Sequence, residues 1–185
     1  MNRLLAVLSL LCAAMPLAQA RLGETEDQTE DRYGIPKRQF EYDDNHFPLV
    51  RGDGARTKSY IFQSYRIRVG YLNGVTVRIE YLRQNGLPDP VLKDFEKAAI
   101  FEGETVGGKW HPDAPGQGQV VGFVPGQTRY LRDDGARAVS NTGNIIFDSK
   151  AFLDLEAARK AEAQKAQATR QATVDQQRRD ALPKF

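Results

Sequence analysis

The chain has 185 residues, a formal net charge of +2 at pH 7, 27% charged side chains and one cysteine, Cys12. Near-neutral charge excludes an electrostatic nucleic-acid reader, and a lone cysteine excludes a disulfide framework or a thiolate metal centre. A chain of this size can bury a core as one domain or as two small subdomains.

Residues 1–20, MNRLLAVLSLLCAAMPLAQA, carry Arg3, an apolar run from Leu4 to Met15, and alanines at positions 18 and 20. This is the pattern of a secretory signal peptide; the apolar run is shorter than the roughly 20 residues of a membrane span. The expectation is an exported protein, periplasmic or extracellular, soluble after cleavage at about Ala20 and without cysteine.

The stretch GETEDQTEDRYGIP, Gly23 to Pro36, packs five carboxylates between Glu24 and Asp31. Thr25 followed by Gln28 has the spacing of a capping box, and Glu24, Glu26, Asp27, Glu30 and Asp31 suit the positive end of a helix. Gly34 stops the turn and Pro36 forbids continuation. The spacing predicts a helix from about Glu26 to Tyr33.

Tyr65, Ile67, Val69 and Tyr71 alternate with Arg66, Arg68 and Gly70; Val75, Val77, Ile79 and Tyr81 alternate with Thr76, Arg78 and Glu80. A period of two predicts half-buried strands, with Asn73-Gly74 as a tight turn between them. A shorter strand over Ser59 to Gln63, reversing near Gln63-Ser64, completes a three-stranded meander. The exposed sheet face around Tyr65 to Tyr81, carrying Tyr65, Arg66, Arg68, Arg78 and Glu80, is the candidate contact surface; the alternative is a solvated face with cross-strand charge pairs.

Residues 84–155 predict a second small helix-and-hairpin unit. Pro88-Asp89-Pro90 opens the helix VLKDFEKAAIFEG, whose Val91, Leu92, Phe95, Ala98, Ala99 and Glu102 define one side and which ends near Gly103. A Gly- and Pro-rich connection, Gly107 to Gly126, reads as an exposed loop interrupted by Val120 to Val124. Thr128 to Leu131 and Ala136 to Ser140 flank the turn Asp133-Asp134-Gly135, and Asn144 to Asp148 is one more short strand. From the N-cap Ser149 onward the chain is rich in Ala, Gln, Lys and Arg, good helix formers with little to bury. Residues 157–185 carry seven basic and three acidic side chains. Residues 156–185 are therefore expected as a projecting, solvated helical tail, too poor in apolar residues for stable membrane insertion.

Arg51-Gly52-Asp53 reads as a turn. Asp43, Asp44, Asn45 and His46 concentrate oxygen and nitrogen ligands in one loop, but adjacent residues in an extended segment point apart, and metal sites need three or more converging ligands. His111 in Trp110-His111-Pro112-Asp113 has no nucleophile placed by spacing. No phosphate loop, dinucleotide fingerprint or zinc motif is present, so no cofactor or metal is assigned. RGDGAR at 51–56 and RDDGAR at 132–137 match in five of six positions, which turn chemistry alone can produce.

Gly23, Thr25, Thr29, Tyr33, Gly34 and Pro36 fall at the spacing G-x-T-x3-[V/T]-x3-[L/Y]-G-x-P. This resembles the opening helix of the SmpA/OmlA (BamE-like) outer-membrane assembly lipoproteins, where an antiparallel meander with an Asn-Gly-like turn follows, as Asn73-Gly74 does here. The resemblance covers residues 22–82 and implies a small α+β layered unit that binds other proteins. The family's cysteine at the start of the mature chain is missing, and barrel assembly is not carried over. The architecture also looks like repeats of secreted inhibitors of β-lactamase. The combined expectation is an α+β envelope protein that acts without catalysis, through contacts with another envelope protein and with neither nucleic acid nor cofactor. The alternative is a small secreted hydrolase or cell-wall-binding enzyme.

Overall fold

The computed structural model describes residues 21–36, 49–83, 91–113 and 127–180. The signal-peptide segment, the Asp43–His46 cluster, Pro88-Asp89-Pro90 and Val120 to Val124 lie outside them. The protein is mixed α and β, with two compact units, one ending at Ser149 and the other beginning at Lys150.

The first unit opens with α1 (Glu26–Tyr33). The capping box forms as its spacing predicts: the Gln28 amide donates to Thr25 Oγ1 at 3.3 Å, and the Thr25 amide donates to Gln28 Oε1 at 2.9 Å. Gly34 ends the helix at a φ of 79°, and its amide donates to the Glu30 carbonyl at 2.7 Å. The acidic run does more than complement the helix dipole. Lys58 Nζ lies 2.7 Å from Glu26 and 2.6 Å from Glu30, so two of its carboxylates tie the helix to the following strand.

Strands β1 (Ala55–Phe62), β2 (Tyr65–Leu72) and β3 (Val75–Arg83) form the expected meander. Gln63 turns at φ 53°, and Asn73 and Gly74 at 53° and 78°, the left-handed pair a two-residue hairpin requires. β1 starts four residues before its predicted beginning because Arg56, Thr57 and Lys58 join the sheet through polar partners. Thr57 Oγ1 accepts from the Leu49 amide at 3.0 Å, a contact that apolar alternation does not register.

α2 (Asp94–Gly103) ends where Gly103 predicts, but its buried side differs from the predicted one. Leu92, Glu96 and Ile100 are buried; Phe95 is 71% exposed, and Ala98 and Glu102 face solvent. The rotation follows from Glu96, which accepts from the Tyr65 hydroxyl at 2.6 Å and pairs with Arg83 at 2.6 Å. An apolar-periodicity argument gives a glutamate no anchoring role.

β4 (Trp110–Pro112), β5 (Thr128–Arg132), β6 (Arg137–Ser140) and β7 (Asn144–Asp148) complete one seven-stranded antiparallel sheet in the order β1-β2-β3-β7-β6-β5-β4. Two expectations are corrected. The start of the predicted Gly/Pro loop holds a strand, because Trp110 stacks edge-on against Phe101 and the Lys109 amide donates to Asp133 at 2.7 Å. The predicted second unit is not separate: β3 pairs with β7 from Arg78↔Asp148 to Leu82↔Asn144, satisfying backbone groups that a free β3 edge would leave open. Each half of the sheet is thus a helix followed by a meander, and the two last strands meet at its centre.

The core lies on the side of the sheet that carries α1 and α2. Tyr60, Tyr71, Tyr81, Ile67, Ile79, Ile145 and Phe147 are at most 2% exposed. Tyr33 of α1 packs its ring on Tyr60 and Phe62, while Phe101 of α2 packs on Tyr130 and Phe147.

The second unit contains α3 (Lys150–Asp180), 31 residues long. Phe152 is buried and Leu153 and Leu155 are half-buried; from Glu156 to Arg179 all residues except Arg159 and Asp175 are exposed.

Candidate functional site

Strand alternation puts the two kinds of sequence-predicted site residue on opposite sides of the sheet. Arg66, Arg68, Arg78 and Glu80 project from the face opposite α1 and α2. Tyr65 lies on the helix side, bonded to Glu96, and does not share their surface. Tyr71 and Tyr81, which bound the same stretch, are also buried on the helix side.

On the face opposite α1 and α2, Arg68 donates to Glu80 at 2.9 Å, and Asn144 donates to the other Glu80 oxygen at 2.7 Å. Arg78 Nε stands 3.2 Å from Asp148. These are the cross-strand charge pairs of the alternative, but they are not freely solvated: the Arg68 and Glu80 side chains are only 14% and 9% exposed. Part of the cover is the segment just before β1. A Cβ on Gly70 would stand 2.3 Å from Val50 Cγ2, so glycine here admits Val50, which is 3% exposed, onto the sheet.

The face opens toward its other edge. One register row runs Arg78, Asp148, Arg137, Leu131, His111 across β3, β7, β6, β5 and β4. Arg78 and Asp148 are half-buried, Arg137 is exposed, Leu131 is 40% exposed and His111 is exposed. The neighbouring row adds Arg129 opposite Val139. Arg66, Arg68, Arg78, Arg129 and Arg137 share this face with Glu80 and Asp148, and the exposed Asp113, whose amide donates to the Arg129 carbonyl at 2.9 Å, and Asp133 lie at its β4 edge.

At the same edge His111 Nε2 lies 2.9 Å from Asp133 Oδ1, and Asp133 Oδ2 accepts from the Lys109 amide. That backbone hydrogen bond and the one to His111 hold the Asp133 carboxyl below the ordinary range. Arg132 grips Asp134 with Nε at 2.9 Å and a terminal nitrogen at 2.8 Å, which lowers the Asp134 carboxyl, and its guanidinium sits 5.1 Å from the Trp110 ring centre. Among the described residues no hydroxyl is hydrogen-bonded to His111, and no three metal-ligating side chains converge.

The two related hexapeptides close their turns differently. Ala55 N–H donates to the Gly52 carbonyl at 3.1 Å, whereas Gly135 N–H donates to the Arg132 carbonyl at 2.8 Å. The turns are offset by one motif position, as turn chemistry acting separately in two places would give. Arg51-Gly52-Asp53 leads into the first of them, in accord with its reading as a turn.

A buried polar network on the helix side has no counterpart in the sequence reading. Glu104, just beyond α2, is fully buried, and the Tyr81 hydroxyl donates to its Oε1 at 3.1 Å. The Tyr81 and Tyr33 hydroxyls are 3.4 Å apart. Burial pushes the Glu104 carboxyl up to about 8, against the opposing hydrogen bond from Tyr81, the Leu22 backbone amide and the Arg132 charge. Arg132 donates to the Glu104 backbone carbonyl at 2.9 Å, as does Trp110 Nε1. A second tyrosine pair, Tyr60 and Tyr71, shares a hydroxyl contact of 3.0 Å. Desolvation raises all four phenols, and Tyr65 is pushed up to about 12 by burial and its bond to Glu96. The only hint in the sequence is an acidic residue directly after a helix-stopping glycine.

No family model, curated protein or solved structure matches the chain.

Proposed function

We propose that this is an exported, non-catalytic envelope protein that works through protein contacts on the face of its sheet opposite α1 and α2, with an acidic partner. The observation that carries the reading is the row from Arg78 to His111, along which side chains pass from half-buried to exposed. Arg129 and Arg137 supply positive charge there and Leu131 an apolar contact, a combination suited to a protein surface that offers carboxylates around a small apolar patch. The tandem of helix and meander supports a likeness to BamE-like units and to the repeats of β-lactamase inhibitors, both of which this reading treats as binding architectures. Secretion with removal of residues 1–20, a periplasmic or extracellular location and a solvated tail belong to the same proposal.

The test is capture from an envelope extract by the exported chain and by an Arg129→Glu/Arg137→Glu variant of unchanged melting temperature. A discrete partner that binds the first, weakens with salt and is lost by the second supports the reading. Equal retention by both chains, or no partner for either, defeats it.

A small hydrolase is the second reading, favoured by the His111 and Asp133 pair. Hydrolysis of a peptide, ester or glycan panel abolished by His111→Ala would establish it; the binding reading expects no turnover to lose.

A further inference from the structure

The Glu104 carboxyl stands where three parts of the first unit converge. Tyr81 of β3 donates to Oε1, Tyr33 of α1 reaches the same phenol, and the Leu22 backbone amide approaches from the N-terminal segment. Among the described residues Oε2 has no hydrogen-bond partner. Arg132 is the cation near the carboxyl, and its donors go elsewhere, to the Asp134 carboxylate and to the backbone carbonyl of Glu104 itself. Glu24 adds a second negative charge nearby. A neutral carboxylic acid fits this environment; an ionised one places a charge in a fully buried position, where the Tyr81 hydroxyl, the Leu22 amide and the Arg132 charge offset only part of its desolvation.

The element that yields is the one with the least holding it. β3 lies mid-sheet between β2 and β7, and β5 lies between β6 and β4. Residues 22–33 are an eight-residue helix and its lead-in, attached by backbone bonds to Gly74 and Thr76, by the Lys58 pairs and by Tyr33. So short a helix has little stability of its own and belongs to the low end of local opening free energies. Lifting it would bring water to Glu104.

We propose that Glu104 is a proton-operated latch: protonated, it holds the segment Leu22–Tyr33 on the sheet, and its ionisation lets that segment open. The groups that face it are Tyr81 and Tyr33, which stay neutral with raised phenol pKa values, Arg132, which opposes release, and Glu24, which favours it.

Hydrogen exchange of the full chain, corrected for the intrinsic rate, reads this directly. Between about pH 5 and 8 the opening constant of residues 22–33 should rise roughly tenfold per pH unit and then level off, because the open form loses a proton that the closed form keeps. Strands β3 and β7, which open only on global unfolding, should have far smaller opening constants at every pH, and Glu104→Gln, which copies the neutral acid, should abolish the dependence in residues 22–33. The same dependence in Glu104→Gln, or opening constants of residues 22–33 equal to those of the strands, overturns the latch. Should that variant not fold, carbon-13 titration of the Glu104 carboxyl in the natural chain decides. A midpoint near 8 with matching shifts of the Tyr33 ring supports the latch, and an ordinary carboxylate midpoint overturns it.

Discussion

The Tyr65 hydroxyl donates to the Glu96 carboxylate at 2.6 Å, joining β2 to α2, and the same carboxylate pairs with Arg83 of β3 at 2.6 Å. Burial works against the charge on Glu96, but the bonds from Tyr65, the Lys93 amide and Arg83 hold its carboxyl below the ordinary value. Glu96→Ala would leave Arg83, whose side chain is 16% exposed, without this partner. The expected loss is about 2–4 kcal/mol, and Tyr65→Phe should lose about 1 kcal/mol. Urea unfolding of both variants checks the ordering; equal losses would count against the central place of Glu96.

Gly70 is a steric requirement of the sheet face opposite α1 and α2. The Cβ of Gly70→Ala would meet Val50 Cγ2 at 2.3 Å, and the expected destabilisation is about 1–3 kcal/mol. Val50→Ala in the same chain should recover part of it. Additive losses in the double-mutant cycle would show that the two positions do not touch.

Global stability should depend on pH through Glu104. Its folded pKa is about 8, above the ordinary 4.5, so its contribution is complete below about pH 4.5. As pH rises the unfolded chain releases a proton that the folded chain retains, and stability falls by up to about 1.4 kcal/mol per pH unit until the folded group titrates. Glu96, Asp133 and Asp134 have lowered pKa values and act the other way, losing stability as pH falls through their folded values. Urea midpoints at pH 5.5 and 8.5 should therefore differ for the natural chain and converge for Glu104→Gln.

Removing residues 159–185 should leave melting of the first unit within about 2 °C, because among the described residues from 159 to 179 no apolar side chain is buried. Helical circular dichroism should drop in the same sample. A large fall in melting temperature would show that the tail stabilises the rest.

What was legible in the sequence was local. Thr25, Gln28 and Gly34 mark α1 because caps act within one helical turn, and Asn73-Gly74 marks its hairpin because the backbone there needs positive φ. The contact surface was half legible: the period of two isolates Arg66, Arg68, Arg78 and Glu80 as one face, and the same period puts Tyr65 on the other. The rest depends on partners distant in the chain. Glu96 anchors α2 through Arg83 and Tyr65, Trp110 makes a strand of a Gly-rich stretch through Phe101, and Glu104 is enclosed by residues of α1, β3 and β5. Open charge at the β4 to β6 edge could not be inferred without knowing that β7 joins the two meanders.

That junction also orders events as the chain folds. The central contact of the sheet joins residues 78–82 to residues 144–148, so it cannot form until the chain through Asp148 is available. The first meander must wait with the edge of β3 open, exposing Ile79 and Tyr81 beside unpaired backbone. Such non-local closure is slow and invites mispairing. The last strand to be made is therefore the one that completes the middle of the sheet.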